Sequence, residues 1–405
     1  MRHVVVIGSG FGALKAVREL RRRGPGLAIT LAAPQPHFHY YPSLVWVPSG
    51  RRAPEALTVD VRDWLARHGA AYHQGRVEAV RDGGRTVVTD TGVLANDGLV
   101  VASGGTFLNQ IPGVEHVHTI CEGGHAAAGI RDRLAAMDGG RIAFGFAGNP
   151  KHRPAMRGGP LFELVFAVDN QLEKEGRRDR FELAFFTPAP QPGVRLGERA
   201  SAELVRRLER RGIAVHNGAA IARFEPDRVV TAAGEIASDL TIFMPGMTGP
   251  SWLAASALPM TESGHVAVDE HARALGLERV YAIGDSAAFP GPDWQAKQAH
   301  AAELQAKTAA RNLANELAGR PATAKVRHEI VCVLDDLDRG VLVYRDAKRQ
   351  VVLPPLRLAH WMKLALERMF LRRYAPRRRP ALGRPLRRWA TGGAGLSPAQ
   401  PGTGP

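Results

Sequence analysis

The chain has 405 residues, room for two to three domains, with 45% hydrophobic residues and only two cysteines, which excludes a disulfide-stapled scaffold and fits a reducing compartment. Its net charge of +15 is uneven: eleven cations and one acid, Glu367, fall between Leu356 and Trp389, so that segment's +10 leaves +5 for the rest. A basic end on a near-neutral body points to an anionic surface rather than to nucleic acid, for which the tail shows no interleaved aromatics.

Met1-Arg2-His3 runs straight into an apolar stretch, 4–7, too short for a signal-peptide core. That stretch breaks into Gly8-Ser9-Gly10-Phe11-Gly12-Ala13 and then a helical segment to Arg23, the opening of a βαβ unit. In such a turn the first glycine permits the bend and the second lets backbone approach a pyrophosphate. The third position must be small so that helix packs on strand; Gly8, Gly10 and Ala13 meet these needs. Residues 27–32 read as the second strand. The acid expected about 20 residues on, to accept from a ribose hydroxyl, would fall near Ala33, where there is none. After a polar, aromatic loop, 37–42, come short strands at 77–80, 86–89 and 99–102, the last ending in Ser103-Gly104-Gly105.

A second unit starts near Cys121. It reads as helix 124–137, strand 141–146, a glycine- and proline-rich connection, helix 161–175, strand 181–186, helix 201–211 and strand 213–216. Strand 280–283 and a helix from 297 to 318 return to the first style. From about 324 the chain is strand-like, then becomes one amphipathic helix and the arginine tail, with 392–405 small, polar and expected to be disordered. Alternating strands and helices predict an α/β protein with parallel sheets: two Rossmann-like dinucleotide-binding folds and a C-terminal amphipathic helical segment. No run of 18 apolar residues occurs, so no spanning helix is expected.

Asp97-Gly98-Leu99-Val100-Val101-Ala102-Ser103-Gly104 and Val280-Tyr281-Ala282-Ile283-Gly284-Asp285 resemble, in order and spacing, the second and third flavin signatures of the pyridine nucleotide–disulfide oxidoreductase superfamily. The likeness runs from about Met1 to Tyr374. Within it, four motifs resemble the branch of sulfide:quinone oxidoreductases and flavocytochrome c sulfide dehydrogenases. They are Tyr41-Pro42-Ser43-Leu44-Val45-Trp46, Cys121-Glu122-Gly123-Gly124-His125, Gly159-Pro160-Leu161-Phe162-Glu163 and Cys332-Val333-Leu334-Asp335.

The resemblance implies an FAD-binding domain in two parts, 1–120 and 265–323, around a second Rossmann-like domain, 121–264. A quinone- and membrane-docking region, 324–389, and a tail, 390–405, follow. It implies FAD held by Gly8, Gly10, Gly12, Ala13, Pro42, Ser103, Gly104, Gly284, Asp285 and Lys297. It also implies chemistry at Cys332, Cys121, Lys297 and Glu163, with quinone as acceptor, a reduced sulfur species as donor, and no metal. Two positions depart from the branch. Residues 148–158 contain no cysteine where a second redox cysteine is implied, and Arg195 stands where a histidine is implied. A thiol–disulfide relay needs two sulfurs, so Cys332 depends on Cys121 or on a persulfide. The bland reading of each cysteine is a small buried hydrophobe.

Two alternatives stand beside this reading. A type-II NADH dehydrogenase would carry a full glycine fingerprint at Gly145-Phe146-Ala147-Gly148-Asn149-Pro150, where Pro150 blocks a helix start. A non-catalytic flavoprotein would have lost the disulfide and kept the cofactor. At the C-terminus Leu358, Trp361, Met362, Ala365, Met369 and Phe370 recur at helical spacing, with Lys363, Arg368, Arg372 and Arg373 mostly off that stripe. This pattern suits a helix lying in a membrane interface and predicts a cytoplasmic protein, peripheral on the inner face of the cell membrane.

Overall fold

The computed structural model describes residues 1–376. The six arginines of the basic cluster from Arg377 onward, and the tail expected to be disordered, lie outside the described residues.

The chain opens with β1 (His3–Ile7), whose three valines are fully buried, as a parallel strand covered on both faces requires. The glycine turn leads into α1 (Phe11–Arg23), and β2 (Ala28–Ala33), β3 (Ala70–Gln74) and β4 (Gly98–Val101) follow. The second unit comprises α2 (Gly124–Ala135), β5 (Gly140–Phe146), α3 (Gly158–Lys174), β6 (Phe181–Thr187), α4 (Glu198–Arg210), β7 (Ile213–Asn217) and β8 (Leu240–Met244). The chain then returns through β9 (Val280–Ala282) and α5 (Ala299–Leu317). It finishes with β10 (Ile330–Asp335), β11 (Gly340–Arg345), β12 (Gln350–Val352) and α6 (Arg357–Tyr374).

The first sheet runs β9-β4-β1-β2-β3 and the second β7-β6-β5-β8, parallel throughout. In each, the strand order reverses beside the first strand, β1 or β5, and such reversals are where open α/β sheets bind ligands. The expected α/β class with two Rossmann-like units is what the chain forms. An antiparallel sheet of Ile221–Glu225, Arg228–Thr231 and Gly234–Ala237 was absent from the sequence reading. Helix α3 begins three residues before its expected start, because Pro160 is tolerated in a first turn whose N–H groups have no intrahelical acceptor. Helix α5 begins after Lys297, which therefore sits in the approaching loop.

The C-terminal helix departs most from expectation. Its inner face is polar: His360, Lys363 and Glu367 are buried, while Leu358 (64% exposed), Trp361 (65%), Met362, Leu366 and Met369 face outward. Lys363 belongs to no cationic outer face, because its ammonium is buried against Glu163 of α3. Asp335 accepts from Trp46 Nε1 at 3.0 Å and bonds His360 Nδ1 at 2.6 Å, and Glu367 accepts from Arg52 at 2.9 Å. Phe370 also leaves the expected outer stripe, packing on Phe11 and Tyr40 with ring centroids 5.2 and 5.7 Å away. Among the described residues no helix is long and apolar enough to cross a membrane.

Candidate functional site

At the end of β1 the backbone of Gly8 takes φ +108°, and its N–H donates to the Ala32 carbonyl at 2.8 Å. A Cβ there would run into the Ala102 carbonyl oxygen at the end of β4, so only glycine lets the two strand ends approach. Gly10, the N-cap of α1, is different: a Cβ there would meet nothing within 4 Å. The open space is a cavity of about 1610 Å³ facing the uncapped N-terminus of α1, whose N–H groups and dipole favour an anion such as a pyrophosphate. Ala13 is fully buried and lets α1 sit close on the sheet.

The cavity joins distant parts of the chain. Gly8, Gly10, Gly12, Pro42, Ser103, Gly104, Gly284, Asp285 and Lys297 line it, and so do Cys121, Glu163 and Cys332. Of the expected site residues only Ala13 is outside, in its packing role. His125 is exposed on α2 and does not line the cavity. At the far end of β2, Gln35 borders the cavity where the expected ribose-binding acid is missing.

Arg157 and Arg195 line the cavity without having been among the expected site residues. Arg157 lies in the stretch where a second cysteine was implied; its guanidinium donates to Asp285 at 2.7 Å and lies over the rings of Tyr41 and Phe107. Arg195 is held by the carbonyls of Pro154, Met156 and Gln295 at 2.9–3.2 Å, and burial pulls its pKa down to about 10. The Lys297 ammonium donates to the Gly284 carbonyl at 3.1 Å and to that of Ala287; burial lowers its pKa to about 8 against the opposing pull of Asp285. Burial pushes Glu163 up to about 7, outweighing Lys363. The Cys332 thiol is pushed up to about 12 by burial and by Glu163, and burial also raises Cys121. Both cysteines are therefore free thiols near neutral pH, not activated thiolates.

The second reversal point is built differently. Between β5 and α3, residues 147–157 fold back over the ends of β5 and β8. Ala147 N–H donates to Met244 O at 3.0 Å, the Asn149 amide to Met247 O at 2.8 Å, and Met247 N–H to Ala155 O at 3.0 Å. A Cβ on Gly246 would lie 2.5 Å from the Gly148 carbonyl. Backbone thus packs against the ends of β5 and β8, whose last residues Phe146 and Met244 border the same cavity.

Residues 2–306 match the pyridine nucleotide-disulphide oxidoreductase family. The sulfide-quinone reductase of Aquifex aeolicus is 26% identical over 394 residues, covering 91% of this chain and 90% of that one. The X-ray structure of the sulfide:quinone oxidoreductase from the same bacterium superposes with a TM-score of 0.82 at 24% identity, over 92% of this chain and 91% of the other. NDH2 of Plasmodium falciparum superposes with a TM-score of 0.71 at 13% identity, over 92% and 96%.

The two glycines make separable predictions. Gly10→Val should fold and melt near the parent protein but purify colourless, because its side chain enters only the cavity. Gly8→Val should lower the melting temperature, because it separates β1 from β4. Absorbance at the flavin bands and thermal melts check both; full colour in Gly10→Val would refute the pyrophosphate turn.

Proposed function

We propose that this chain, which belongs to the pyridine nucleotide-disulphide oxidoreductase family, is an FAD enzyme passing electrons from a reduced sulfur donor to a quinone at a membrane surface. One observation carries the quinone half. Leu366 and Met369 line the cavity and are also exposed, 40% and 42%, on the apolar outer face of α6. The apolar surface and the cavity share these side chains, a port suited to a ligand arriving from lipid. An apolar outer face beside exposed Arg368 and Arg372 suits a helix resting in an anionic interface. The likeness to a sulfide-quinone reductase over nine-tenths of both chains supports the same reading.

The residues fit FAD: the open space over Gly10, the α1 N-terminus and the Gly284-Asp285 turn border one continuous cavity. When bound, FAD would accept an electron pair from the donor and deliver it to the quinone. The chain's own part is to place charge and protons. Lys297 holds an ammonium beside Gly284. Glu163, at the cavity wall near the α6 port, titrates near neutral pH and backs onto Lys363, so it can hand a proton to a quinone oxygen. Cys121 and Cys332 both border the cavity as free thiols, and with no cysteine in residues 148–158 the sulfur chemistry at Cys332 would draw on Cys121 or on a persulfide.

Three outcomes test this reading. Anaerobic sulfide should bleach the flavin and a short-chain quinone should restore it, whereas NADH should bleach it slowly or not at all, since Asn149-Pro150 interrupts the glycine fingerprint after β5. Rapid stoichiometric bleaching by NADH would favour the type-II dehydrogenase instead. Glu163 carries its proton below about pH 7 and loses it above, so quinone reduction should fall as pH rises through 7. Glu163→Gln should flatten that profile and lower the rate by about a hundredfold in protein whose flavin content and thermal melt show α6 still docked. Replacing Leu358 and Trp361 with glutamate should release the protein from anionic vesicles in sedimentation, with flavin content unchanged; continued sedimentation would end the docking assignment.

A further inference from the structure

Four acids line the cavity, and each has a cation: Glu163 has Lys363, Asp285 has Arg157, Asp293 has Arg153 and Glu303 has Arg373. Four other lining cations, Arg76, Lys297, Arg195 and Arg345, form no salt bridge among the described residues. Arg76 lies between Gly75 and Val77 at the end of β3, and Lys297 lies near Gly284, both along the stretch assigned above to FAD with its two phosphate charges. Arg195 and Arg345 lie outside that stretch.

Arg345 is placed on the Cys332 side of the C-terminal sheet, and Arg195 is tied to Arg345. In the β10–β11 pairing Cys332 opposes Val343 and Ile330 opposes Arg345, so Arg345 sits on the Cys332 face, two residues along, or about 6.6 Å. Its Nη1 donates to the carbonyls of Arg195 at 2.8 Å and Val194 at 3.3 Å, and its guanidinium covers Trp294 with 5.0 Å to the ring centroid. Those contacts leave its Nε and Nη2 uncommitted. Arg195 spends Nη1 and Nη2 on carbonyls, which leaves its Nε uncommitted. Two partly buried guanidinium groups with spare donors and no carboxylate bear a desolvation cost that a ligand's negative group would offset.

We infer that the lobe beside Cys332 is an anion-binding subsite, in which Arg195 and Arg345 hold a negatively charged oxygen group of the donor, a sulfur oxyanion or a carboxylate on a thiol. This inference rests on the proposed function for the word donor, but the binding itself needs neither turnover nor quinone. Arg195 thus carries specificity at the position where the resemblance implied a histidine.

The test titrates the FAD-loaded protein, without quinone, with thiosulfate, 3-mercaptopropionate and neutral 2-mercaptoethanol, reading perturbation of the flavin spectrum. At least one anion should bind tenfold or more tightly than 2-mercaptoethanol. Arg195→Gln and Arg345→Gln should each remove about tenfold of that affinity while leaving 2-mercaptoethanol unchanged, and Arg195→Lys should restore part of it. Thiosulfate alone would mark an oxyanion site, and 3-mercaptopropionate alone a carboxylate site. The proposal fails if neither anion outbinds the neutral thiol, or if both glutamine variants keep full anion affinity. Melting temperature and flavin content verify folding; should Arg195→Gln not fold, Arg345→Gln, at the outer end of β11, decides. Failure of quinone reduction would remove the function proposed above and leave this binding result standing.

Discussion

The buried pair of Lys363 and Glu163 fixes the orientation of the C-terminal helix, and much of the site follows from that orientation. Once the ammonium of α6 is committed to the carboxylate of α3, helical geometry turns His360 and Glu367 inward with it, toward Asp335 and Arg52. The same geometry turns Leu358, Trp361 and Met362 outward. Breaking such a pair by removing one partner typically costs about 3–5 kcal/mol, since an uncompensated charge stays buried. An amphipathic helix docked on a core would normally hide its whole apolar stripe; here buried polar pairs share the inner face with Ala359, Phe370 and Tyr374, and Leu358, Trp361 and Met362 are left for another phase.

The two dinucleotide folds share a strand order but differ at their reversal points. At β1 the chain turns sharply through Gly8 and starts α1 at once, leaving the crevice open. At β5 Pro150 prevents an immediate helix, and eleven residues fold back before α3 begins. Hydrogen bonds to Met244 and Met247 tie those residues to the end of β8 and the turn after it. The first fold therefore presents an open helix N-terminus, while the second supplies a wall carrying Arg157 and Glu163.

That wall changes the chemistry available to the sulfurs. Cys332 faces a buried carboxylate and low-dielectric surroundings, which keep its proton on, and no second cysteine stands in residues 148–158. Arg157 in that stretch neutralises Asp285 instead. Farther along the cavity, Arg195 and Arg345 carry positive charge whose contacts are to backbone carbonyls and an aromatic ring.

Local order determined the parallel strands, the glycine turn and the cavity-lining motifs, since each depends on residues adjacent in sequence. Gly8, Gly10, Ser103, Gly104 and Asp285 were legible because backbone approach and ligand-binding turns impose residue types at fixed spacing. The inner face of α6 was not legible from periodicity: a buried lysine reads as a solvated one until its carboxylate partner, 200 residues away, is brought beside it. Phe370 was misplaced for the same reason, its partners Phe11 and Tyr40 lying at the other end of the chain. Arg157 and Arg345 looked like ordinary surface cations in a basic chain, and Arg195 was marked only as the replacement for an implied histidine. Only the folded structure paired the first with Asp285 and left the other two without a carboxylate, because ion pairing is settled by spatial neighbours that sequence spacing does not encode.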